Sequence, residues 1–77
     1  MSYLIENARR AGPMRALSYR VVVDQGGRLS VRDFDDLDEA CAYADDAVGE
    51  HGDAPNLAIV VDANLKVVHQ GRPYFLP

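Results

Sequence analysis

The sequence predicts an α+β fold in two layers, in which a four-stranded, mainly antiparallel sheet packs one helix on one face, in the order ββαββ. Two pairs of short, valine-rich runs with alternating apolar and polar residues indicate two β-hairpins. A capped stretch with helical spacing lies between the two pairs. We assign residues 18–77 to this single domain and residues 1–17 to an N-terminal arm or short helix.

The predicted helix covers residues 36–50. Its apolar residues recur at the i, i+3, i+4 and i+7 spacing, so they share one side, which we expect to face the sheet. These residues are Leu37, Ala40, Cys41, Ala44, Ala47 and Val48. Asp36 precedes Glu39 by three residues, as in a capping box at a helix N-terminus. Gly49 favours the conformation that ends a helix, and Pro55 prevents the helix from restarting.

The four strands are predicted from alternation with a period of two residues. They cover residues 19–24, 28–34, 57–62 and 65–70. A Gln25-Gly26-Gly27 turn joins the first pair, because glycine adopts the positive φ angles that a tight hairpin needs. A short turn that begins at Asp62 joins the second pair.

The alternation assigns the strand residues to two faces of the sheet. The first face is almost wholly apolar and is expected to meet the helix: Tyr19, Val21, Val23, Leu29, Val31, Leu57, Ile59, Val61, Leu65, Val67 and His69. The second face is expected to stay uncovered and to carry valines inside a rim of polar groups: Arg20, Val22, Asp24, Arg28, Ser30, Arg32, Ala58, Val60, Asp62, Lys66, Val68 and Gln70. An exposed apolar strip of this kind indicates an interaction surface.

The uncovered face suggests that the chain forms a two-fold homodimer. The residues predicted to self-associate are Val22, Val60 and Val68. One alternative is that the same face binds nucleic acid or another polyanion. The residues predicted for that role are Arg20, Arg28, Arg32 and Lys66. A second alternative is a solvated face with no role.

The charges of the chain are segregated along the sequence. The formal net charge is −4, and nine of the 12 Asp and Glu residues lie within residues 33–53, which contain no Lys or Arg. The acidic helix face is either a solvated surface or a docking surface for a partner protein, and the overall acidity opposes polyanion binding. The residues predicted for docking are Asp38, Asp45, Asp46 and Glu50.

The C-terminal residues 71–77 are mostly apolar and contain two prolines. We expect this tail to fold over an open edge of the core or to act as a docking peptide, with Tyr74 and Phe75 as its anchors.

The sequence predicts no catalytic, cofactor-binding or metal site. Its paired carboxylates are adjacent on exposed helix positions, whereas acid–base catalysis needs groups of different environment that face one cleft. Ten helical residues separate Cys41 from His51 by about 15 Å, which is too far for shared metal coordination. A nucleophilic pair of Cys41 and His69 would require the thiol to be exposed in a pocket, but its position on the apolar helix face predicts burial.

The predicted function is therefore that of a non-enzymatic protein-interaction domain, a homodimer that also binds another protein, with a small nucleic-acid-binding protein as the alternative. A single cysteine forms no internal disulfide, which favours a reducing, cytoplasmic setting. No apolar run approaches the roughly 20 residues of a membrane span.

Overall fold

The computed structural model describes residues 2–49 and 56–71 of the 77-residue chain. The elements follow the order α1 (Ser2–Arg10), β1 (Tyr19–Gln25), β2 (Arg28–Phe34), α2 (Leu37–Gly49), β3 (Leu57–Val61) and β4 (Val67–Gln70). The predicted α+β class and the ββαββ order are confirmed, and the N-terminal segment forms a short helix. Neither described helix has the length and apolar character that crossing a membrane requires.

The four strands form one antiparallel sheet with the order β2-β1-β3-β4. Strands β1 and β3 are therefore central, and β2 and β4 lie at the two edges. Gly26 and Gly27, with φ angles of 62° and 96°, form a two-residue turn, and Gln25 pairs directly with Arg28. All seven residues of β2 pair with β1 in one continuous register.

Helix α2 covers one face of the sheet. The Asp36 carboxylate caps its N-terminus by accepting the backbone N–H of Glu39 at 3.2 Å, as the sequence predicts. The buried Asn56 side chain donates to the carbonyl oxygen of Ala47 at 3.1 Å near the helix C-terminus. The buried residues of this layer are Val21, Val23, Ala40, Ala44, Ala47, Val48, Ala58 and Val60.

Helix α1 covers the opposite face, so the expectation that this face is bare is wrong. Leu4 and Ala8 are completely buried, and they form one apolar cluster with Val22, Ile59 and Val61. A helix of nine residues is not stable alone in water, but packing of its apolar side stabilises it here. The domain therefore buries a core on each side of its sheet.

The predicted face of β2 is wrong because the first turn is one residue shorter than expected. A three-residue turn would pair Asp24 with Arg28, whereas the observed register pairs Gln25 with Arg28. A shift of one residue exchanges the two faces of a strand. Leu29 and Val31 consequently lie on the α1 side of the sheet, opposite Asp24 and Val22.

The predicted face of β3 is also wrong. The register pairs Val60 with Val21 and Ala58 with Val23, so Ala58 and Val60 face α2 and Ile59 and Val61 face α1. Residues Ala58 to Val61 are all buried, because helices cover both sides of this central strand. A strand that is apolar on both faces carries no alternation from which its orientation can be predicted.

Candidate functional site

The outer edge of β2 is the most prominent unpartnered feature among the described residues. This strand is seven residues long and exposed along almost all of its length, and no other described strand pairs with its outer side. It contains no proline and no lysine, and its pairing with β1 has no register shift. A long, regular edge of this kind presents a row of backbone groups that can pair with another chain.

The hydrogen bonds of the neighbouring strands show which residues of β2 direct their backbone outward. The backbone N–H of Gly71 donates to the carbonyl oxygen of Ala58 at 2.9 Å, so Ala58 directs its backbone toward β4. Its neighbour Val23 must then bond to β2, because hydrogen-bonded and non-bonded pairs alternate along antiparallel strands. Val23 pairs with Ser30, and it follows that Leu29, Val31 and Asp33 direct their N–H and C=O groups to the open edge.

The opposite edge of the sheet is built differently. Strand β4 has only four residues, and its pairing with β3 contains a register shift between Val60 and Val61. Short strands and bulges are two of the devices by which proteins prevent strand pairing at an edge. The contrast singles out β2 as the edge that is suited to a partner.

Two apolar side chains accompany the open backbone groups. Leu29 and Val31 lie on the α1 side of β2 and are 37% and 38% exposed. On the α2 side, the Arg32 guanidinium stacks over the rings of Phe34 and Tyr43, at 5.2 Å from each centroid. Arginine and aromatic residues are enriched at the centres of protein interfaces. Both sides of the strand thus carry groups that a partner strand can contact.

Arg20 connects β1, β2 and α1. Its guanidinium donates to both carboxylate oxygens of Asp33, at 2.7 and 2.9 Å, and to the carbonyl oxygens of Ala8 and Gly12, at 2.7 Å each. The Arg20 side chain is only 4% exposed, whereas that of Asp33 is 48% exposed. The hydrogen bonds from Arg20 lower the pKa of Asp33 and outweigh the opposing effect of its partial burial. The arrangement fixes the end of α1 against the sheet.

The three valines predicted to self-associate do not form one surface. Val22 and Val60 have no exposed area, and they belong to the two separate cores on opposite sides of the sheet. Val68 is 41% exposed on the edge strand β4. Self-association through an uncovered sheet face is therefore excluded for the described part of the chain, because α1 occupies that face.

The four basic residues of the nucleic-acid alternative are also dispersed. Arg20 is buried in the ion pair with Asp33, on the α1 side. Arg28 and Arg32 lie on the other side of the sheet, and Lys66 is exposed in the turn between β3 and β4. They do not form a shared basic surface.

The residues predicted for partner docking are only partly described. Asp38 and Asp46 are exposed on α2, while Asp45 lies 2.9 Å from the Nε2 atom of His69 in a half-buried pair with β4. Glu50, Tyr74 and Phe75 lie outside the described residues. Docking through the acidic helix and the tail stays a prediction.

Cys41 does not have the environment of a reactive thiol. Burial raises its pKa, and the negative charges of Asp45 and Asp38 raise it further. An activated cysteine requires the opposite shift, produced by a nearby positive charge or a helix N-terminus. Within residues 2–49 and 56–71, no group of three or more His, Cys, Asp or Glu side chains is arranged to hold a metal ion.

Comparison with known proteins yielded no match to a protein-family model, to a curated protein or to a solved structure. The sequence did not predict the open edge of β2, because the order of strands in a sheet depends on which distant segments pair and not on a local residue pattern. One local signal bears on this edge. A two-residue turn at Gly26-Gly27 pairs Gln25 with Arg28, and this register places Leu29 and Val31 on the same face as Asp24 and Val22.

Proposed function

We propose that this protein is a non-enzymatic interaction domain that binds a protein partner by strand addition at the open edge of β2. The observation that carries the proposal is the seven-residue edge with outward-directed backbone groups at Leu29, Val31 and Asp33. Strand addition derives its affinity from main-chain hydrogen bonds and its specificity from alternate side chains. Both components are available along β2.

The exposed apolar side chains support the same proposal. Leu29 and Val31 lie beside each other on one side of β2, and neither belongs to a buried core cluster. A partner strand would cover both of them while it satisfies the backbone groups. The pair therefore adds apolar contact area at the place where the hydrogen bonds form.

The acidic face of α2 serves in this proposal as an accessory surface. Asp38 and Asp46 are exposed on that helix, which packs against the same sheet. A negative surface accelerates the approach of a basic partner without contributing much to the final affinity. With a basic partner protein, we expect association to slow as the salt concentration rises and the dissociation rate to change little. Association of two copies of this chain, each with a net charge of −4, should instead become faster as salt screens their repulsion.

A photoreactive amino acid in place of Ser30 tests the proposal in cells that produce the chain. The Ser30 side chain is exposed on β2, and its backbone bonds to β1, so the substitution leaves the outer edge intact. We expect a protein adduct of defined mass from this position. The matched control places the same group at Asn64, which is exposed in the turn between β3 and β4.

A second substitution identifies the contact as strand addition. Val31→Pro removes a backbone N–H that points away from β1, so the fold tolerates it while an added strand loses its central hydrogen bond. We expect the adduct from position 30 to disappear in this variant. Equal adducts from positions 30 and 64, or an adduct that survives Val31→Pro, would contradict the proposal.

The nucleic-acid alternative has no supporting observation, since the four basic residues predicted for it do not share a surface. The proposed cellular setting is a reducing one, the cytoplasm, because the single cysteine is half-buried and forms no internal disulfide.

A further inference from the structure

We infer that the partner strand is β2 of a second copy of this chain, paired antiparallel with Val31 on the two-fold axis. This inference rests on the proposed function, because it names the occupant of the same edge. It predicts one continuous sheet across the dimer, in which the outer edges of the two β2 strands pair with each other and are no longer open.

The backbone pattern restricts the registers that two β2 strands can adopt. In a symmetric antiparallel pair, complete hydrogen-bonded pairs form only when residues that direct their backbone outward face each other. The outward residues of β2 are Leu29, Val31 and Asp33. Among the registers that pair at least five residues of each strand, the two-fold axis passes beside Ser30, Val31 or Arg32.

The side chains select one of these three registers. An axis at Ser30 places Arg28 opposite Arg32 of the second copy, and an axis at Arg32 places Arg32 opposite itself. Like charges directly opposite each other destabilise a strand pair. An axis at Val31 avoids both contacts and pairs all seven residues of the strand.

The Val31 register also brings compatible groups together on each side of the sheet. Its pairs are Val31 with Val31, Leu29 with Asp33, Ser30 with Arg32, and Arg28 with Phe34. On the α1 side, the two Val31 side chains meet at the centre and bury area that is exposed in the single chain. On the α2 side, each Arg28 lies opposite a Phe34 ring, a pairing that allows a cation–π contact.

The test places a charge at position 31, which is predicted to face the same position of the second copy. Val31→Lys and Val31→Glu each place like charges across the axis, so each variant alone should dissociate about tenfold or more readily than the wild type in light scattering. An equal mixture of the two variants should recover a dimer of about 17 kDa, twice the mass of the 8.5 kDa chain. The matched controls are Val68→Lys and Val68→Glu, which change the same residue type at a 41% exposed position on β4, outside the proposed interface, and each should leave the dimer intact.

Amide hydrogen exchange of the wild-type chain supplies an independent measurement. The Ser30 N–H bonds to β1 in the single chain and should be protected at every concentration, whereas the Val31 N–H should become protected only as the dimer forms. Thermal unfolding confirms that each variant is folded before it is compared.

Three outcomes would overturn the inference. A wild-type dimer that both charged variants leave intact would place the interface elsewhere, and charged variants that do not recover in mixture would exclude the Val31 register. A wild-type monomer with an unprotected Val31 amide would exclude the second copy, yet the Ser30 adduct and its loss in Val31→Pro would still report whether another protein occupies the edge. The measurements of the dimer and the cross-linking from position 30 thus distinguish a failure of this inference from a failure of the proposed function.

Discussion

Arg20 and Asp33 face each other across β1 and β2, and the guanidinium contacts both carboxylate oxygens. The same guanidinium reaches the carbonyl oxygens of Ala8 and Gly12 at the end of α1. One buried side chain therefore holds together a helix end, a central strand and the proposed interaction edge. Arginine suits this position because its planar fork offers several donors in fixed directions.

Replacing Arg20 by lysine should destabilise the fold. Lysine keeps the positive charge but lacks the fork, so it leaves part of the hydrogen bonding to Asp33 and α1 unsatisfied. We expect a loss of about 1–3 kcal/mol in the free energy of unfolding, measured by denaturant titration. The control is Arg28→Lys on the exposed strand β2, where the change should stay within about 0.5 kcal/mol. Equal effects at the two positions would contradict the structural role of Arg20.

Stability should fall as the solution is acidified. Hydrogen bonds from Arg20 lower the pKa of Asp33, and hydrogen bonds from Tyr3 and the backbone N–H of Gly27 lower the pKa of Asp24. Their folded pKa values lie below the unfolded values, so the unfolded chain binds more protons. The stabilisation is complete above the unfolded carboxyl pKa near 4 and is lost as the pH falls through the folded values.

Denaturant titrations between neutral and strongly acidic pH measure this dependence. We expect Asp33→Asn to be less stable than the wild type at neutral pH and to show a smaller further loss in acid. An unchanged acid dependence in this variant would show that Asp33 contributes nothing to it. Tyr3 acts at the alkaline end, because its bond to Asp24 raises the phenol pKa and its contribution is lost as the pH rises through the folded value.

Leu17 and Leu65 adopt the same left-handed backbone conformation, with φ angles of 62° and 63°, in very different surroundings. Leu17 is 86% exposed, whereas Leu65 packs against the α1 core. A change to glycine at either site relieves about 1 kcal/mol of backbone strain, which stabilises the folded state. It also raises the conformational entropy of the unfolded chain, which offsets that gain. Leu17→Gly should therefore be neutral within about 1 kcal/mol, while Leu65→Gly should lose a further 1–2 kcal/mol, roughly, of apolar burial.

Thermal and denaturant unfolding of the two glycine variants provide the comparison. The pair is matched in residue type and backbone conformation, so the difference between them isolates the burial of Leu65. A Leu17→Gly variant that is as unstable as Leu65→Gly would show that Leu17 has a structural contact in the folded chain.

Gly71 lies against the backbone of α2 immediately after β4. A Cβ atom at this position would come within 2.7 Å of the Ala44 carbonyl oxygen and 2.9 Å of the Val48 Cγ2 atom. Gly71→Ala should cost about 1–3 kcal/mol, because a backbone oxygen cannot move aside without shifting the helix. Val68→Ala on β4, the strand that precedes Gly71, changes a 41% exposed position and is the control, which should cost less. A neutral Gly71→Ala variant would refute the close approach.

Local signals in the sequence predicted the elements well. The Asp36 cap was confirmed, and so was the buried face of α2 at Ala40, Ala44, Ala47 and Val48, whereas Leu37 is 37% exposed. The first hairpin was confirmed, but with a turn of two residues instead of the three that were predicted. The faces of β2 and β3 could not be predicted in the same way. The face of β2 depended on a one-residue difference in turn length, and β3 is apolar on both sides.

The role of Arg20 was not accessible from the sequence either. Its position in an alternating strand placed it on the face that was expected to be uncovered. Helix α1 covers that face, and two hydrogen-bond acceptors of Arg20 are the carbonyl oxygens of Ala8 in α1 and of Gly12 just after it. The sequence assigned residues 1–17 only to an N-terminal arm or short helix, and a helix of nine residues is not stable in isolation. Its stability comes from Leu4 and Ala8, which are buried against Val22 of β1 and against Ile59 and Val61 of β3.

The sequence by itself determined where helices, strands and turns lie, because backbone preference and side-chain period are local properties. It also determined the acidic surface of α2. Only the tertiary structure decided the strand order, the second helical layer and the free edge at β2. These three features depend on which segments that are distant in the sequence pair with or pack against each other, and that is determined by the packing of the whole chain.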